Sequence, residues 1–270
     1  MKEMERLNMH DQDDYEAFSD LFATLTGIHL QAYKRSQMER RLRSLSVKHG
    51  MSSMKAYGEA LKKDPALLSE CKEKMTINVT SFFRNADRWE RVTDWLSTRH
   101  QLTKKPLAIW SAACSSGEEA YTVAMLCKRN GLPLENNQVQ ATDLDEQMIR
   151  KAKSGRYSAQ AAQTVLGEEM LSRFFQKEDV DFCVVDEIKE MVSFSTLDLI
   201  HDDFPKQMDM VICRNVCIYF TEETKERIFM KLSDALKEGG LLFVGSTEQI
   251  FHPHTYGLTA IAPFFYQKTN

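Results

Sequence analysis

After Pro106 the chain alternates short apolar runs with segments of helical pattern, and this alternation restricts its fold more than any other feature. The apolar runs are typical of buried strands, and most are followed by a stretch suited to an amphipathic helix. Such an order predicts an α/β fold with a parallel sheet and helices on both of its faces. The predicted strands are Leu107–Cys114, Val139–Thr142, Met208–Cys213, Leu241–Val244 and Phe264–Gln267, and the predicted helices are Glu118–Arg129, Glu146–Lys153 and Thr221–Lys237.

The first hundred residues have a different, wholly helical pattern. Apolar side chains recur at three- and four-residue spacing over residues 12–26, and Gly27 then ends the pattern. A second helix is predicted over residues 33–49, followed by Gly50. Asp64 and Pro65 suit the start of a further helix that runs towards Met75. Short helices joined by short loops predict a small all-α bundle before the sheet.

One stretch, residues 156–195, fits neither pattern. It contains a helical part, Gly167–Phe175, and alternating segments, Phe182–Val185 and Met191–Phe194. We interpret it as an insertion that carries short antiparallel strands. The expected organisation is therefore a helical domain over residues 1–90 and a sheet domain over residues 91–270, with the insertion inside the second.

Charge and composition exclude several classes of protein. Lys and Arg number 35 against 39 Asp and Glu, a formal net charge of −4, which does not suit a nucleic-acid-coating surface. No apolar run approaches the roughly 18 residues of a membrane helix, and the N-terminus does not resemble a signal peptide. We therefore expect a cytoplasmic protein that neither inserts into membranes nor binds nucleic acid. Because no long apolar stripe is left unassigned, we expect a monomer.

Metal binding is disfavoured by the spacing of the cysteines. The six cysteines include no C-x-x-C pair, so free, partly buried thiols are expected. Cys213 and Cys217 could join His252 or His254 at a metal, but this set lacks the spacing of a zinc site. We predict no metal.

Candidate binding residues stand at the ends of the first two predicted strands. Gly117 permits a tight turn after the first strand, Glu118 follows it, and Asp143 ends the second strand. Ligands of such sheets bind at the carboxyl ends of the strands, where an acid accepts hydrogen bonds from ribose hydroxyls. The G-x-G-x-x-G pattern of dinucleotide sites is missing, which favours a nucleoside without phosphates. The alternative is a helix-start acid and a solvated turn.

Two further polar segments are candidates for the same site. Asn78, Thr80 and Arg84 lie among apolar neighbours; they serve either as caps and a surface residue or as a polar rim with Arg84 available to a carboxylate. Arg214 and Asn215 directly follow a strand and precede Tyr219. That order indicates a ligand-facing loop at the carboxyl edge of the sheet.

The second helix is strongly basic although the chain as a whole is acidic. Over residues 31–50 a single acid, Glu39, accompanies six basic side chains: Lys34, Arg35, Arg40, Arg41, Arg43 and Lys48. A solvated helix face is one explanation. The imbalance favours the other, an acidic partner.

Five motifs, in order, resemble those of the chemotaxis receptor methyltransferases, the CheR family. They are MTINVTSFFR, IWSAACSSGEEAYT, ATDLDEQMIRKAKSGRY, VICRNVCIYF and LLFVGSTEQI, and the resemblance extends from about residue 12 to 268. It implies a Rossmann-like class I methyltransferase sheet with a small inserted antiparallel β-subdomain, preceded by an all-α domain. It also implies transfer of a methyl group from S-adenosylmethionine (SAM) to glutamates of methyl-accepting chemotaxis receptors, with S-adenosylhomocysteine as the other product.

The resemblance also assigns roles to individual positions. The residues implied to contact SAM are Asn78, Thr80, Arg84, Glu118, Asp143, Asp198, Leu199, Asn215 and Val216. Those implied to lie beside the transferred methyl group are Arg84 and Tyr219, and those implied to face the receptor are Lys34, Arg35, Arg40, Arg41 and Arg43. The chain departs from common family residues at Ala120, where many members have proline, and at Asp198, where asparagine is common.

The implied chemistry requires no general base. A glutamate carboxylate, with a pKa of about 4.3, is already ionised at neutral pH, so the missing catalytic triad is consistent with it. The reaction joins an anion to a methyl carried by a cation, which makes positioning and removal of water the main tasks of the protein. The alternatives are a non-catalytic nucleoside-binding module and a dinucleotide-dependent oxidoreductase, which the glycine-poor turn disfavours. Net acidity disfavours a nucleic-acid methyltransferase.

Overall fold

The structure is a computed structural model that describes residues 2–165 and 167–269. Its internal contacts divide the chain into two units, which we call the helical unit and the sheet unit. The helical unit comprises Met1–Ile77 and Tyr219–Lys225, and the sheet unit comprises Asn78–Ile218 and Glu226–Asn270. In the described part of the chain, no helix has the length and apolar character needed to cross a membrane.

The helical unit is built from four helices within its described residues. They are α1 (Lys2–Thr26), α2 (Arg35–Lys48), α3 (Met54–Lys63) and α4 (Pro65–Thr76), with a short 3₁₀ segment at Leu30–Ala32. Phe18, Phe22 and Tyr57 are buried between them, with Phe18 stacked on each of the other two rings. Asp64 caps α4 as predicted, accepting hydrogen bonds from the backbone N–H of Ala66 and Leu67. The first helix begins before residue 12, earlier than its apolar pattern predicted.

The sheet unit alternates strands and helices in the predicted order. Its helices are α5 (Asp87–Thr103), α6 (Glu118–Arg129), α7 (Glu146–Ser154), α8 (Ala159–Ala162), α9 (Gly167–Phe174), α10 (Asp186–Lys189) and α11 (Glu222–Ala235), whose first residues belong to the helical unit. Its strands are β1 (Ile109–Ala112), β2 (Val139–Asp143), β3 (Arg156–Ser158), β4 (Phe175–Glu178), β5 (Asp181–Val184), β6 (Val192–Thr196), β7 (Met208–Cys213), β8 (Leu236–Val244), β9 (Leu258–Ala262) and β10 (Phe265–Lys268). Short 3₁₀ segments lie at Glu135–Asn137, Cys217–Tyr219 and Pro253–Tyr256.

The strands of the described residues form a seven-stranded main sheet with the order β6-β2-β1-β7-β8-β10-β9. The pairs from β6 through β8 are parallel, which confirms the predicted crossover architecture. β10 pairs antiparallel with both β8 and β9, so the sheet is mixed at this edge. β9 was not predicted from the sequence; it is a short edge strand of which three of the five side chains are exposed.

The inserted subdomain is smaller than predicted. A separate antiparallel sheet has the order β3-β5-β4, which confirms the short strands expected after Arg156. The assignment of Met191–Phe194 to this insertion was wrong, because β6 pairs in parallel with β2 at the edge of the main sheet. An edge strand with only one partner and alternating burial has the same sequence pattern in either sheet.

The division between the units follows Ile77, whereas the sequence analysis placed it near residue 90. The reason is the aromatic pair Phe82 and Phe83, which is buried in the core of the sheet unit. Phe82 packs edge-on against Tyr157 and Phe175, and Phe83 packs edge-on against Trp89. The segment before α5 therefore belongs to the sheet and not to the bundle.

Asp209 links three elements at the amino-terminal end of β7. Its side chain is 4% exposed, and it accepts hydrogen bonds from Arg99, Lys237 and the backbone N–H of Ala108. Burial alone would raise the pKa of Asp209, but these three donors outweigh it and hold the pKa below its ordinary value.

We expect Asp209→Asn to destabilise the sheet unit by about 2 to 3 kcal/mol at pH 7.5, because two partly buried cations lose their counter-charge. An acid whose pKa is lowered by folding stabilises the folded state at pH values above its ordinary pKa. This stabilisation is lost as the pH falls through the lowered pKa. The difference in free energy of unfolding between wild type and Asp209→Asn should therefore become smaller below about pH 4. Urea unfolding monitored by tryptophan fluorescence measures this free energy. The signal reports on the sheet unit because all three tryptophans lie in it.

The control is Asp203→Asn, at an exposed position. Equal unfolding midpoints for the two variants would contradict the role given to Asp209.

Candidate active site

The turn between β1 and α6 is tight and has an unusual backbone. Gly117 has φ +94°, and a Cβ there would lie 2.9 Å from the Ala152 side chain and 3.1 Å from Phe194. Both the conformation and the close approach therefore require glycine, as predicted. Ala113 and Ser115 also adopt left-handed backbone, with φ 56° and 50°, although neither is glycine. Strained conformations of this kind are concentrated at ligand sites.

Asp143 ends β2 and lies under this turn. It is 8% exposed. Its carboxylate accepts the backbone N–H of Ser115 at 2.7 Å and that of Asp145 at 2.9 Å. Burial raises the pKa of Asp143 to about 6 in spite of these donors. Because each carboxylate oxygen has two acceptor sites, both retain capacity for a further donor.

Glu118 begins α6 and is also buried. Ser116 Oγ lies within hydrogen-bond distance of both of its carboxylate oxygens, at 3.0 and 2.8 Å. The Tyr157 hydroxyl donates to the Ser116 carbonyl at 2.6 Å and so fixes the same turn. Burial raises the pKa of Glu118 above its ordinary value. Among the described residues, neither Glu118 nor Asp143 forms an ion pair.

The segment that opens the sheet unit carries Asn78, which bonds the residue two after Asp143, and Arg84. Asn78 Nδ2 donates to Asp145 at 3.0 Å, and Asp145 in turn donates its N–H to Asp143. The Arg84 side chain is half-buried, and its Nη1 donates to the Val79 carbonyl at 3.1 Å. Thr80 lies half-buried between them in the chain. Three of the predicted residues are thus on one segment that is bonded to the β2 end of the sheet.

The loop after β7 carries Asn215 and Val216, both half-buried. Glu248 accepts three backbone N–H groups, from Asn215 at 2.5 Å, Cys217 at 2.6 Å and Gly245 at 2.8 Å. A Cβ on Gly245 would lie 2.3 Å from the Glu248 carboxylate, so only glycine leaves room for this arrangement. The loop is therefore held by a carboxylate that follows β8.

Asp198 and Leu199 follow β6, and their polar groups are already used locally. The Asp198 carboxylate accepts the N–H of Ile200 and bonds the His201 ring, and its own N–H donates to Asp202. Leu199 is buried, and its carbonyl accepts a hydrogen bond from Lys231. The position of this turn beside β2 is fixed by Leu197, whose N–H donates to the Asp143 carbonyl.

The remaining predicted residues belong to the helical unit. The Tyr219 carbonyl accepts the N–H of Lys34, and the Arg41 guanidinium lies 5.9 Å from the Tyr219 ring. Glu39 pairs with both Arg35 and Arg43, so part of the basic charge of α2 is neutralised within the helix. Arg40 is exposed, and within the described part of the chain no ion pair involves it.

Three polar residues of the site were not predicted from the sequence: Ser115, Glu119 and Glu248. Arg214 was predicted in a ligand-facing loop, but its contact with Glu119 was not. Their types gave no signal, since each role depends on a contact with a distant part of the chain. The only available signal was position. Glu248 stands in the segment that follows β8, where polar residues interrupt an apolar run.

The sheet and the acids at its carboxyl edge define a Rossmann-like methyltransferase of the class that uses SAM. Residues 78–262 match the family described as CheR methyltransferase, SAM binding domain, and residues 13–76 match CheR methyltransferase, all-alpha domain. The chain therefore belongs to the CheR methyltransferase family, as the resemblance of its motifs predicted.

Relatives of similar length support the same assignment. The chain is 37% identical over 259 residues to a chemotaxis protein methyltransferase of Listeria innocua, covering 96% of this chain and 98% of that protein. It is 36% identical to the Listeria monocytogenes protein of the same name, with the same coverage. It is 33% identical to chemotaxis protein methyltransferase 1 of Pseudomonas aeruginosa, covering 93% of this chain and 95% of that one.

The residues present fit SAM as the cofactor. SAM brings hydroxyl donors on its ribose and positive charge on its sulfur and amino groups. The site offers two buried carboxylates without an ion-pair partner among the described residues. The Ser115 hydroxyl is buried at the same turn and has no hydrogen-bond partner in the described structure. A ligand with these groups would satisfy all three.

We expect the affinity for S-adenosylhomocysteine to depend on pH through Asp143. A ribose donor favours the ionised carboxylate, so affinity should be constant above about pH 7 and fall about tenfold at pH 5, one unit below the pKa of about 6. Asp143→Asn should bind more weakly at pH 7.5 and should lose this dependence. Isothermal titration at pH 7.5, 6 and 5 measures both effects.

Asp203→Asn, with an exposed acid replaced, serves as the control and should keep the wild-type profile. A wild-type pH profile in Asp143→Asn would contradict the contact.

Proposed function

We propose that the chain transfers the methyl group of SAM to glutamate carboxylates of methyl-accepting chemotaxis receptors. The products are glutamate methyl esters and S-adenosylhomocysteine. The observation that carries the proposal is the fixation of the Arg84 turn beside the cofactor edge of the sheet. The Phe83 N–H donates to Thr122 of α6, and Arg214, directly after β7, donates to the Arg84 carbonyl. These bonds fix the backbone of the turn that carries the Arg84 guanidinium, and a guanidinium suits a carboxylate substrate.

In this proposal the cofactor is held by residues from all the polar segments of the edge. Asp143 accepts ribose hydroxyls, and Glu118 faces the positive charge of the cofactor. The remaining assigned contacts are Asn78, Thr80, Arg84, Asn215, Val216, Asp198 and Leu199. The Asp198 carboxylate is already bonded to the N–H of Ile200 and to the His201 ring, so we assign the contact at this position to the backbone.

The chemistry assigns Arg84 an orienting role. When bound, SAM supplies a methyl group on a positively charged sulfur. Arg84 offers two parallel donors to the substrate carboxylate, which is ionised without help from a base because its pKa is about 4.3. If Arg84 bound the substrate carboxylate more strongly in the ground state than in the transition state, methyl transfer would be slower. Arg84 must therefore orient the carboxylate without neutralising its charge fully. We assign Tyr219 as a neutral donor to the same group.

The receptor is proposed to meet the basic helix α2. Its exposed guanidinium groups include those of Arg40 and Arg43, and Lys34, Arg35 and Arg41 are half-buried on the same helix or at its start. A positive surface on an acidic protein favours a partner segment rich in carboxylates. The cytoplasmic region of a receptor that carries methylated glutamates has that character, and a cytoplasmic location of the enzyme follows from the proposal.

The proposal is tested with tritiated SAM and membranes that contain chemotaxis receptors. A glutamate methyl ester is cleaved by base, so the label should appear on the receptor band and be released as volatile methanol at high pH. A glutamate-to-alanine receptor supplies the control. Base-stable label, or binding of cofactor without transfer, would contradict the proposed reaction.

Arg84→Ala should lose transfer far more than cofactor affinity. Loss of a positioning group costs about 100-fold or more in turnover, while the other cofactor contacts remain. The same ester assay and a calorimetric titration with S-adenosylhomocysteine measure the two quantities. Arg88→Ala, a nearby arginine that bonds Asp87 and the Pro263 carbonyl, is the matched control and should keep its turnover. Unchanged turnover in Arg84→Ala would contradict the proposed orienting role of Arg84.

A further inference from the structure

Arg214 is a buried cation that the reaction as described does not use. Its side chain is 3% exposed, and its Nη1 lies 3.3 Å from the carboxylate of Glu119, which is 12% exposed. Ser111 donates to the other oxygen of that carboxylate. The guanidinium also lies 4.5 Å from the centre of the Phe243 ring. The pair is thus enclosed under the carboxyl edge of the sheet.

The other end of the guanidinium is bonded to the turn that carries Arg84. Arg214 Nη2 donates to the Arg84 carbonyl at 3.2 Å and to Asn85 Oδ1 at 2.7 Å. Trp89 Nε1 donates to the same carbonyl at 3.1 Å. The Arg84 backbone is therefore fixed on one side by two donors, while its own side chain remains half-buried.

Stability alone is a poor explanation for this arrangement. A buried ion pair adds little net stability compared with apolar packing of similar volume. Moreover, Arg214 Nε is buried without a hydrogen-bond partner in the described structure, which adds a further cost. The turn that it holds contains two left-handed residues, Phe83 with φ 48° and Asn85 with φ 61°. Such a turn keeps its shape only when the surrounding contacts enforce it.

We propose that Arg214 is a positioning residue that acts through Arg84. Its fork fixes the 83–85 turn, and this fixes the direction in which the Arg84 guanidinium meets the substrate carboxylate. Arg214 directly precedes Asn215, which is assigned to the cofactor. Two adjacent residues therefore connect the 83–85 turn with the loop after β7. Glu119 supplies the counter-charge. This inference rests on the proposed function of Arg84.

A double-mutant cycle tests the inference. Arg214→Lys keeps the charge but cannot bond Glu119 and the turn together. It should lower kcat for methyl transfer about 10- to 100-fold, with the Kd for S-adenosylhomocysteine within about threefold of wild type. Arg84→Ala combined with Arg214→Lys should be no slower than Arg84→Ala alone, because the second change acts only through the missing guanidinium.

The matched control is Arg99→Lys, which alters another Arg–carboxylate pair, with Asp209, away from the turn. Its effect on kcat should be small and should multiply with that of Arg84→Ala. Asn85→Gly removes one acceptor of Arg214 without touching the buried charge and retains the left-handed backbone. It should lower kcat about threefold to tenfold, so the inference stays testable if Arg214→Lys does not fold.

The outcomes separate the inference from the proposed function. If Arg84→Ala is slow and the double mutant is slower by the product of the two single effects, Arg214 does not act through Arg84 and the inference is overturned. Wild-type kcat in folded Arg214→Lys also overturns it, while the function of Arg84 stands. Full turnover in Arg84→Ala contradicts the proposed function and this inference with it.

Discussion

The carboxyl edge of the sheet depends on left-handed backbone at residues that are not glycine. Phe83, Asn85, Ala113, Ser115 and Asn215 all have φ between 48° and 61°. Each such residue costs about 1 kcal/mol or more unless its surroundings compensate. Here the compensation comes from buried polar side chains that accept or donate at the same turns. The shape of the site is therefore a consequence of tertiary hydrogen bonds and not of local preference.

Buried carboxylates make most of the hydrogen bonds that stabilise these turns. Asp143 holds the turn after β1, Glu248 holds the loop after β7, and Glu119 balances Arg214. Burial raises the pKa of all three acids, which means that each ionised group is costly in the protein without a ligand. Arg214 offsets this cost at Glu119, backbone N–H groups offset it at Glu248 and, in the proposed function, the cofactor offsets it at Asp143.

A methyltransferase that acts on a carboxylate requires direction more than proton transfer. In the proposed reaction the substrate carboxylate is already an anion, so no base is required, and Glu118 and Asp143, whose pKa values burial raises, are assigned to the cofactor instead. What the described residues offer instead is a guanidinium on a fixed turn. The helical unit has the complementary character, with one face packed on Phe18, Phe22 and Tyr57 and a helix rich in arginine. In the proposed reaction one unit holds the cofactor and the other meets an acidic protein.

The sequence by itself determined what depends on near neighbours. Spacing within one or two turns of chain predicted the cap at Asp64 and Pro65, the helix Glu118–Arg129 and the strand Met208–Cys213. It also predicted a tight turn at Gly117, whereas the contacts with Ala152 and Phe194 that exclude a side chain there are tertiary. The five motifs added the family and its cofactor. Only the tertiary structure decided which sheet β6 joins, that β9 exists, and that Phe82 and Phe83 draw their segment into the sheet unit. It also decided that Arg214 bonds a turn 130 residues earlier in the chain and that Glu248 holds Asn215 from 33 residues later. Strand pairing and long-range hydrogen bonds are set by which surfaces meet when the chain folds, and the residue types at either end do not specify the partner.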